Sequence, residues 1–321
     1  MIFNQIKRKI ASKYYFLIDP LFKIVPQKES KNIFIIFSEA RSGTTWLAEL
    51  LKAGLDASIL WEPLHPQRGL ISYKYGRRPY WTENNRNDLL YRLTKIFSGI
   101  GINSWTSRME SNLISIYTAS KPLLIKFTRV NRLLPELLKY FQFRYKPILL
   151  VRHPAAVFLS QFKTFGHHTK GFYWSDHKKN EVFEDPRYPK YKEFINGLED
   201  LLHKEFAVYC MNNFHIYNNE INSDKYFIIF YEDLLLDPIN ALKYIAENWN
   251  LNVEQMERKI YPQKTRFDET NNQHLDKVKQ VSKWKSDLSE VDRIKFQTIL
   301  DYFQINRYNM KDSFPVKDKV A

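Results

Sequence analysis

The chain has 321 residues, a formal net charge of +14 from 49 Lys and Arg against 35 Asp and Glu, and 44% hydrophobic residues. That length and composition allow a packed core in one large α/β domain or two small ones, and the basic excess favours anionic ligands, nucleic acid or an anionic membrane surface. The single cysteine, Cys210, excludes an internal disulfide, and the absence of any run of about 20 apolar residues excludes a transmembrane helix. His167, His168 and His177 lack a matching ligand set, so no metal is expected.

In chain order, Met1 to Val25 comes first. Ile2, Phe3, Ile6, Ile10, Tyr14, Leu17 and Leu21 recur at roughly helical spacing, with Lys7, Arg8, Lys9, Lys13 and Lys23 between them. A helix packed on the domain and an interfacial helix on anionic lipid both fit; Pro20 interrupts the pattern and favours packing. A buried strand is predicted over Asn32–Phe37 and a helix from about Thr44 to Ala53. A second strand spans Ser58–Trp61, and Pro63 and Pro66 end it. Gln67–Ser120 reads as a helical insertion over the sheet edge, with helical patterns at Asp88–Phe97 and Arg108–Tyr117.

Pro122–Lys126 and Pro147–Val151 are the third and fourth strand candidates. Helices are expected at Leu133–Phe141 and from Ala155 to Lys163, the latter opened by Pro154. A basic and aromatic block covers Thr164–Lys192. One long helix, Phe194–Tyr217, leads to a fifth strand at Tyr226–Phe230, and Asp237-Pro238 opens a helix to Trp249. Pro262–Gln280 reads as a polar loop, and Ser289 as the N-cap of a helix over Glu290–Phe303. The alternation of strand and helix predicts a central parallel sheet of about five strands with helices on both faces, and ligands at the carboxyl ends of the strands.

Two motifs lie at such ends. Ser38-Glu39-Ala40-Arg41-Ser42-Gly43-Thr44-Thr45 joins the first strand to its helix, the geometry that turns backbone N–H groups toward an anion. It departs from the ATP-type loop: Ser38 stands for the first glycine, Thr44 follows Gly43 where a lysine would stand, and the cation is Arg41. The loop therefore suits a 5′-phosphate rather than a triphosphate with Mg²⁺. The second motif is Val151-Arg152-His153-Pro154 with Ser160 eight residues past Arg152; a guanidinium at a strand end can grip a phosphate, and Ser160 can add a hydroxyl.

Together these motifs resemble the 5′-phosphosulfate loop and the 3′-phosphate motif of the sulfotransferases that use 3′-phosphoadenosine 5′-phosphosulfate (PAPS). The resemblance runs from about Asn32 to Phe303, is specific at Arg41–Trp46 and Val151–Ser160, and is softer at Tyr231–Leu234 and Ser282–Lys285. It implies a single α/β domain over 32–310 with a P-loop-like phosphate loop, preceded by a basic amphipathic segment, 1–31, and followed by a tail, 311–321. The parts 67–120 and 164–192 would be acceptor-side insertions. It implies PAPS as co-substrate without a metal. Arg41, Ser42, Gly43, Thr44 and Thr45 would hold the 5′ end, Trp46 would stack on adenine, and Arg152 and Ser160 would hold the 3′-phosphate, with Tyr231, Lys283 and Trp284 as further cofactor contacts.

Lys126 matches the family lysine that assists the bridging oxygen. The soluble enzymes carry a histidine two residues later, where this chain has Thr128, which is no base at neutral pH. The base is then expected at Glu62, in Trp61-Glu62-Pro63, with His65 as second candidate; a salt bridge to Arg129 or Arg41 is the structural alternative for Glu62. Arg41 in place of lysine, and the Glu-Pro pair, look more like the carbohydrate sulfotransferases. The implied activity is sulfuryl transfer from PAPS to a hydroxyl of a glycan, polysaccharide or glycolipid, with no nucleic-acid partner, in the cytoplasm or at a membrane surface reached through residues 1–25. An ATP-dependent kinase and a basic nucleic-acid-binding protein are the competing classes. The missing lysine after Gly43 argues against the first, and the scatter of basic residues against the second.

Overall fold

The chain is described by a computed structural model at residues 32–71, 75, 78–99, 102–110, 121–166, 183–218, 223–260 and 271–316. Apolar runs form the strands β1 (Ile33–Ser38), β2 (Ser58–Trp61), β3 (Leu123–Thr128), β4 (Ile148–Val151) and β5 (Phe227–Phe230). They make one five-stranded sheet in the order β2-β3-β1-β4-β5, and every pairing is parallel. Every residue of β1 to β4 is buried. Such continuous burial needs cover on both faces, which is why these strands read as unbroken apolar runs.

The cover comes from helices α1 (Thr44–Leu55), α2 (Arg86–Phe97), α3 (Leu134–Tyr140), α4 (Pro154–Gln161), α5 (Lys192–Gly197), α6 (Leu201–Tyr217), α7 (Tyr231–Leu236), α8 (Pro238–Asn248), α9 (Val253–Ile260), α10 (Asn271–Ser282) and α11 (Glu290–Tyr302). Alternate residues of β1 serve opposite layers. Ile33, Ile35 and Phe37 join a core with α2, α3, α4, α6 and α11. Phe34 and Ile36 join a second core with α1, α8 and α9.

Three expectations change. The single helix over Phe194–Tyr217 is two, because Leu198 and Asp200 are extended; Asn196, Gly197 and Asp200 are weak helix formers that favour such breaks. The loop predicted over Pro262–Gln280 contains the start of α10. Its few apolar side chains gave little periodicity; among those whose burial is described, Val281 goes deep into the core. Helix α9 was not anticipated; it packs Met256 and Ile260 against Gly54, where a Cβ would come 2.8 Å from Met256 Cγ. The Ser289 N-cap forms, in a capping box with Asp292. The segment 1–31, most of the 164–192 block and the second half of the Arg108–Tyr117 pattern lie outside the described residues. Among the described residues, no helix is long and apolar enough to cross a membrane.

The chain builds β2 and β3 on one side of β1, then β4 and β5 on the other. The strand order thus reverses at β1, and in open α/β sheets the ligand crevice lies at such a point, outside the carboxyl ends of the strands.

Candidate active site

The loop after β1 sits in that crevice. Gly43 caps α1 with a φ of 88° and has no side chain, so no side-chain cap occupies the first-turn N–H groups. Uncapped N–H groups at a helix start are available to an anion. Arg41 adopts a φ of 73° without glycine's freedom, so the loop holds one strained residue two positions before its glycine. Inside the loop, the hydroxyls of Ser38 and Thr44 lie 2.5 Å apart. Trp46 is half-buried and packs against the α1-side core.

The loop is tied to the second motif. Arg41 Nε donates to Ser160 Oγ at 3.0 Å, and Arg152 Nη1 donates to the Arg41 carbonyl at 3.0 Å. The Arg152 guanidinium lies 4.3 Å from the centre of the Tyr231 ring. That ring closes on Gly43: a Cβ there would lie 2.3 Å from Tyr231 Cδ2. Three segments far apart in sequence therefore converge on one cationic cluster.

Behind Arg152 the chain is fixed from the inside. His153 Nδ1 accepts from the Ala155 N–H and its Nε2 pairs with the Asn309 carbonyl at 3.1 Å, so Nε2 carries the proton of a neutral ring. Burial drives its pKa down to about 3, consistent with that neutral state. Trp284 stacks on His153 at 4.2 Å and is only 3% exposed, so its ring backs the Arg152–His153 turn, while the neighbouring Lys283 stays exposed.

Glu232 accepts from the His153 N–H at 2.9 Å and from the Tyr308 hydroxyl at 3.0 Å. Burial pushes its carboxyl from 4.5 up to about 7. The folded state then binds more protons than the unfolded chain between those pH values, so stability falls as pH rises across that window. Thermal melts from pH 5 to 8 are expected to show this loss in the parent protein and to lack it in Glu232→Gln. An identical pH dependence in both would refute the assignment.

At the ends of β2 and β3 lies the other half of the site. Lys126 is 2% exposed. Its Nζ donates to Glu62 Oε1 at 3.0 Å and to Thr45 Oγ1 at 3.2 Å, and sits 3.4 Å from the centre of the Trp61 ring. Burial brings its pKa down to about 8, against the opposing pull of Glu62. Glu62 has a φ of 41°, fixed by its N–H donating to the Lys126 carbonyl at 2.9 Å. The sequence alternatives for its pairing were Arg129 and Arg41; the structure gives it Lys126 and, at 3.8 Å, Arg129. Thr128 is buried and accepts from Arg129 Nη1.

His65 Nδ1 accepts from the Gln67 and Arg68 N–H groups, and the ring packs on Trp105 at 4.4 Å. Its pKa is lowered chiefly by burial and then by Arg129.

One residue at the loop carried no sequence signal. Glu39 is 1% exposed and accepts from Arg78 Nη2 at 3.0 Å, Asn131 Nδ2 at 3.1 Å, Gln161 Nε2 at 3.2 Å and its neighbour's N–H at 2.9 Å. It thereby clamps the loop to the insertion, to the chain after β3 and to α4. A lone glutamate in a loop has no motif, and its partners assemble only in three dimensions.

Comparison with known proteins bears on this arrangement. The sulfotransferase domain family matches residues 31–314. No curated protein sequence gives a significant match. Among solved structures, the chain is similar to a mouse sulfotransferase complexed with 3′-phosphoadenosine 5′-phosphate (PAP), with 16% identity, coverage of 86% of this chain and 85% of that one, and a TM-score of 0.41. It is also similar to a sulfotransferase of Mycobacterium tuberculosis H37Rv, with 13% identity, coverage of 91% and 80%, and a TM-score of 0.40. A sulfotransferase domain of the curacin biosynthetic pathway matches at 18% identity, with coverage of 69% and 74% and a TM-score of 0.35. The family match spans the sheet, the phosphate-type loop and both strand-end motifs, and the chain belongs to the sulfotransferase domain family.

Proposed function

We propose that the protein transfers the sulfuryl group of PAPS to a hydroxyl of a carbohydrate acceptor, a glycan, polysaccharide or glycolipid. The observation that carries this reading is a pair of contact runs along the carboxyl edge of the sheet, one from Tyr231 through Arg152 to Arg41 and one from Thr45 through Lys126 to Glu62, joined by the loop itself. Its two ends differ in chemistry. One is a cationic cradle at a helix start that no side chain caps, suited to a bisphosphate nucleotide. The other pairs a buried lysine with a carboxylate, suited to a hydroxyl and its proton.

In this reading Arg41, Ser42, Gly43, Thr44 and Thr45 hold the 5′-phosphosulfate, and Arg152 with Ser160 the 3′-phosphate. Trp46 and Tyr231 flank the nucleotide, and Lys283 and Trp284 shape the turn beside it. Lys126 stabilises charge on the bridging oxygen, and Glu62 takes the acceptor proton as the nucleophile comes in line with the leaving phosphate. His65 is the weaker base, because backbone N–H groups already occupy its Nδ1. The domain runs over 32–310, with 67–120 and 164–192 as insertions on the acceptor side. The Arg41 and Glu62-Pro63 positions, and Thr128 where a histidine would serve soluble enzymes, support the carbohydrate class.

A thermal-shift titration tests the donor assignment. PAP is expected to raise the melting temperature, by linkage worth about 2.7 kcal/mol at a hundredfold excess over Kd, at concentrations where ATP with Mg²⁺ does not. Preference for ATP would overturn the reading. Transfer of radiolabelled sulfate to a panel of glycans then tests the acceptor.

A further inference from the structure

The Glu62–Lys126 pair continues outward into a ladder of cations and rings. The Trp61 ring lies under Lys126 Nζ. The Arg108 guanidinium follows, 5.1 Å from the Trp61 ring centre and 4.3 Å from that of Trp105. Arg68 lies 5.1 Å from the Trp105 ring, and His65 packs on the same ring at 4.4 Å. Each cation–ring contact contributes about 0.5–2 kcal/mol, so the alternation fixes three cations in a row.

The ladder ends at an open cavity of about 530 Å³ lined by Gln67, Arg68, Gly69, Asn103, Ser104 and Trp105. Its two walls are tied together: Asn103 Nδ2 donates to the Arg68 carbonyl at 3.0 Å, while Asn103 Oδ1 accepts from the Trp105 and Thr106 N–H groups. The Gln67–Gly69 wall also rests directly on the turn that carries Glu62, since a Cβ on Gly69 would lie 2.3 Å from the Pro63 carbonyl oxygen. Thr106 holds the other wall to β2 by accepting from the Trp61 N–H at 2.7 Å.

Among the described residues, the lining contains a guanidinium and no carboxylate. The nearby acids are committed elsewhere: Glu62 to Lys126 and Arg129, Glu110 to Lys52. The Trp105 ring meets Arg68, Arg108 and His65, so it supports the cations rather than presenting a bare platform for a sugar. A cavity built this way selects by charge. We propose that it is an acceptor subsite for an anionic substituent, a carboxylate or a sulfate, gripped by Arg68 with Arg108 behind it, while the hydroxyl to be modified lies at Glu62. The assignment rests on the reading of Glu62 and Lys126 as the transfer site.

Two ligand pairs, each differing by one carboxylate, test it on the full chain by calorimetry with PAP present. One is unsulfated chondroitin disaccharide against its carboxyl-reduced form; the other is 4-hydroxyphenylacetate against 4-methylphenol. The carboxylate member is expected to bind about tenfold tighter or more, the worth of one charged hydrogen bond, and Arg68→Ala to erase the difference while PAP affinity stays unchanged. Arg68 is exposed, so the variant is expected to melt with the parent. Equal affinities within both pairs, or a preference that survives Arg68→Ala, would overturn the subsite. A preference confined to the phenol pair would keep the subsite and overturn the carbohydrate reading. PAP binding, measured separately, judges the donor assignment alone.

Discussion

Glu62→Gln is expected to lower kcat for sulfate transfer by ~10²–10⁴-fold, the usual contribution of a positioned general base, with PAP affinity unchanged. The geometry sets the terms of the experiment. Glu62 is also the main ionic partner of a lysine that is 2% exposed. Removing its charge leaves Lys126 with Thr45, the Trp61 face and the repulsion of Arg108 and Arg129. The variant therefore disturbs two groups, and a pH profile separates them. Lys126 titrates at about 8 in the fold against 10.5 when free. Its cation is lost as pH rises past about 8, so a rate that needs the cation falls there. Stability moves the other way: the unfolded chain holds more protons between those two values, so stability rises with pH across that window. Without Glu62 the alkaline fall in rate is expected to begin at lower pH. A large drop in kcat that persists at pH 6, on the acid side of the shifted limb, marks the lost base. If kcat stays within about threefold of the parent at pH 7, far short of a base's usual contribution, Glu62 is a structural partner of Lys126 and the base lies elsewhere.

Gly43→Ala is expected to weaken PAP binding by ~10²-fold or more. Two penalties add. The residue has a φ of 88°, where an L-side chain costs about 1–2 kcal/mol. The new methyl would also lie 2.3 Å from Tyr231 Cδ2, and such overpacking costs about 1–3 kcal/mol. The ring cannot retreat freely, because its face holds the Arg152 guanidinium. The strain thus falls on the Gly43 turn and on Arg152, the proposed 3′-phosphate grip, together, and calorimetric titration with PAP reads both. The double variant Gly43→Ala, Tyr231→Ala is expected to regain the steric share only. Parent-like PAP affinity in Gly43→Ala would show that nucleotide binding does not depend on this turn.

The strands and the strand-end motifs were legible because their signals are local. An unbroken apolar run such as Ile33–Phe37 fits only a strand covered on both sides, and the structure buries every residue of it. The spacing of Arg152 and Ser160 needs one helical turn and a half, which α4 supplies. The break at Leu198–Asp200 and helix α10 were not legible. In the first, apolar periodicity runs on across weak helix formers; in the second, too few apolar residues remain to show a period.

By itself the sequence determined the parallel α/β sheet, the strand-loop-helix junction at Ser38–Thr45 and its departure from the ATP pattern, because each depends on residues adjacent in the chain. Only the tertiary structure decided which polar side chains meet. Lys126 and Glu62 are 64 residues apart and become partners because β2 and β3 lie side by side with Trp61 opposite Lys126. The Glu39 clamp and the Arg68–Trp105–Arg108–Trp61 ladder arise in the same way. A buried or half-buried charge must find a partner, but which one it finds depends on the packing of distant segments, and no spacing along the chain records that.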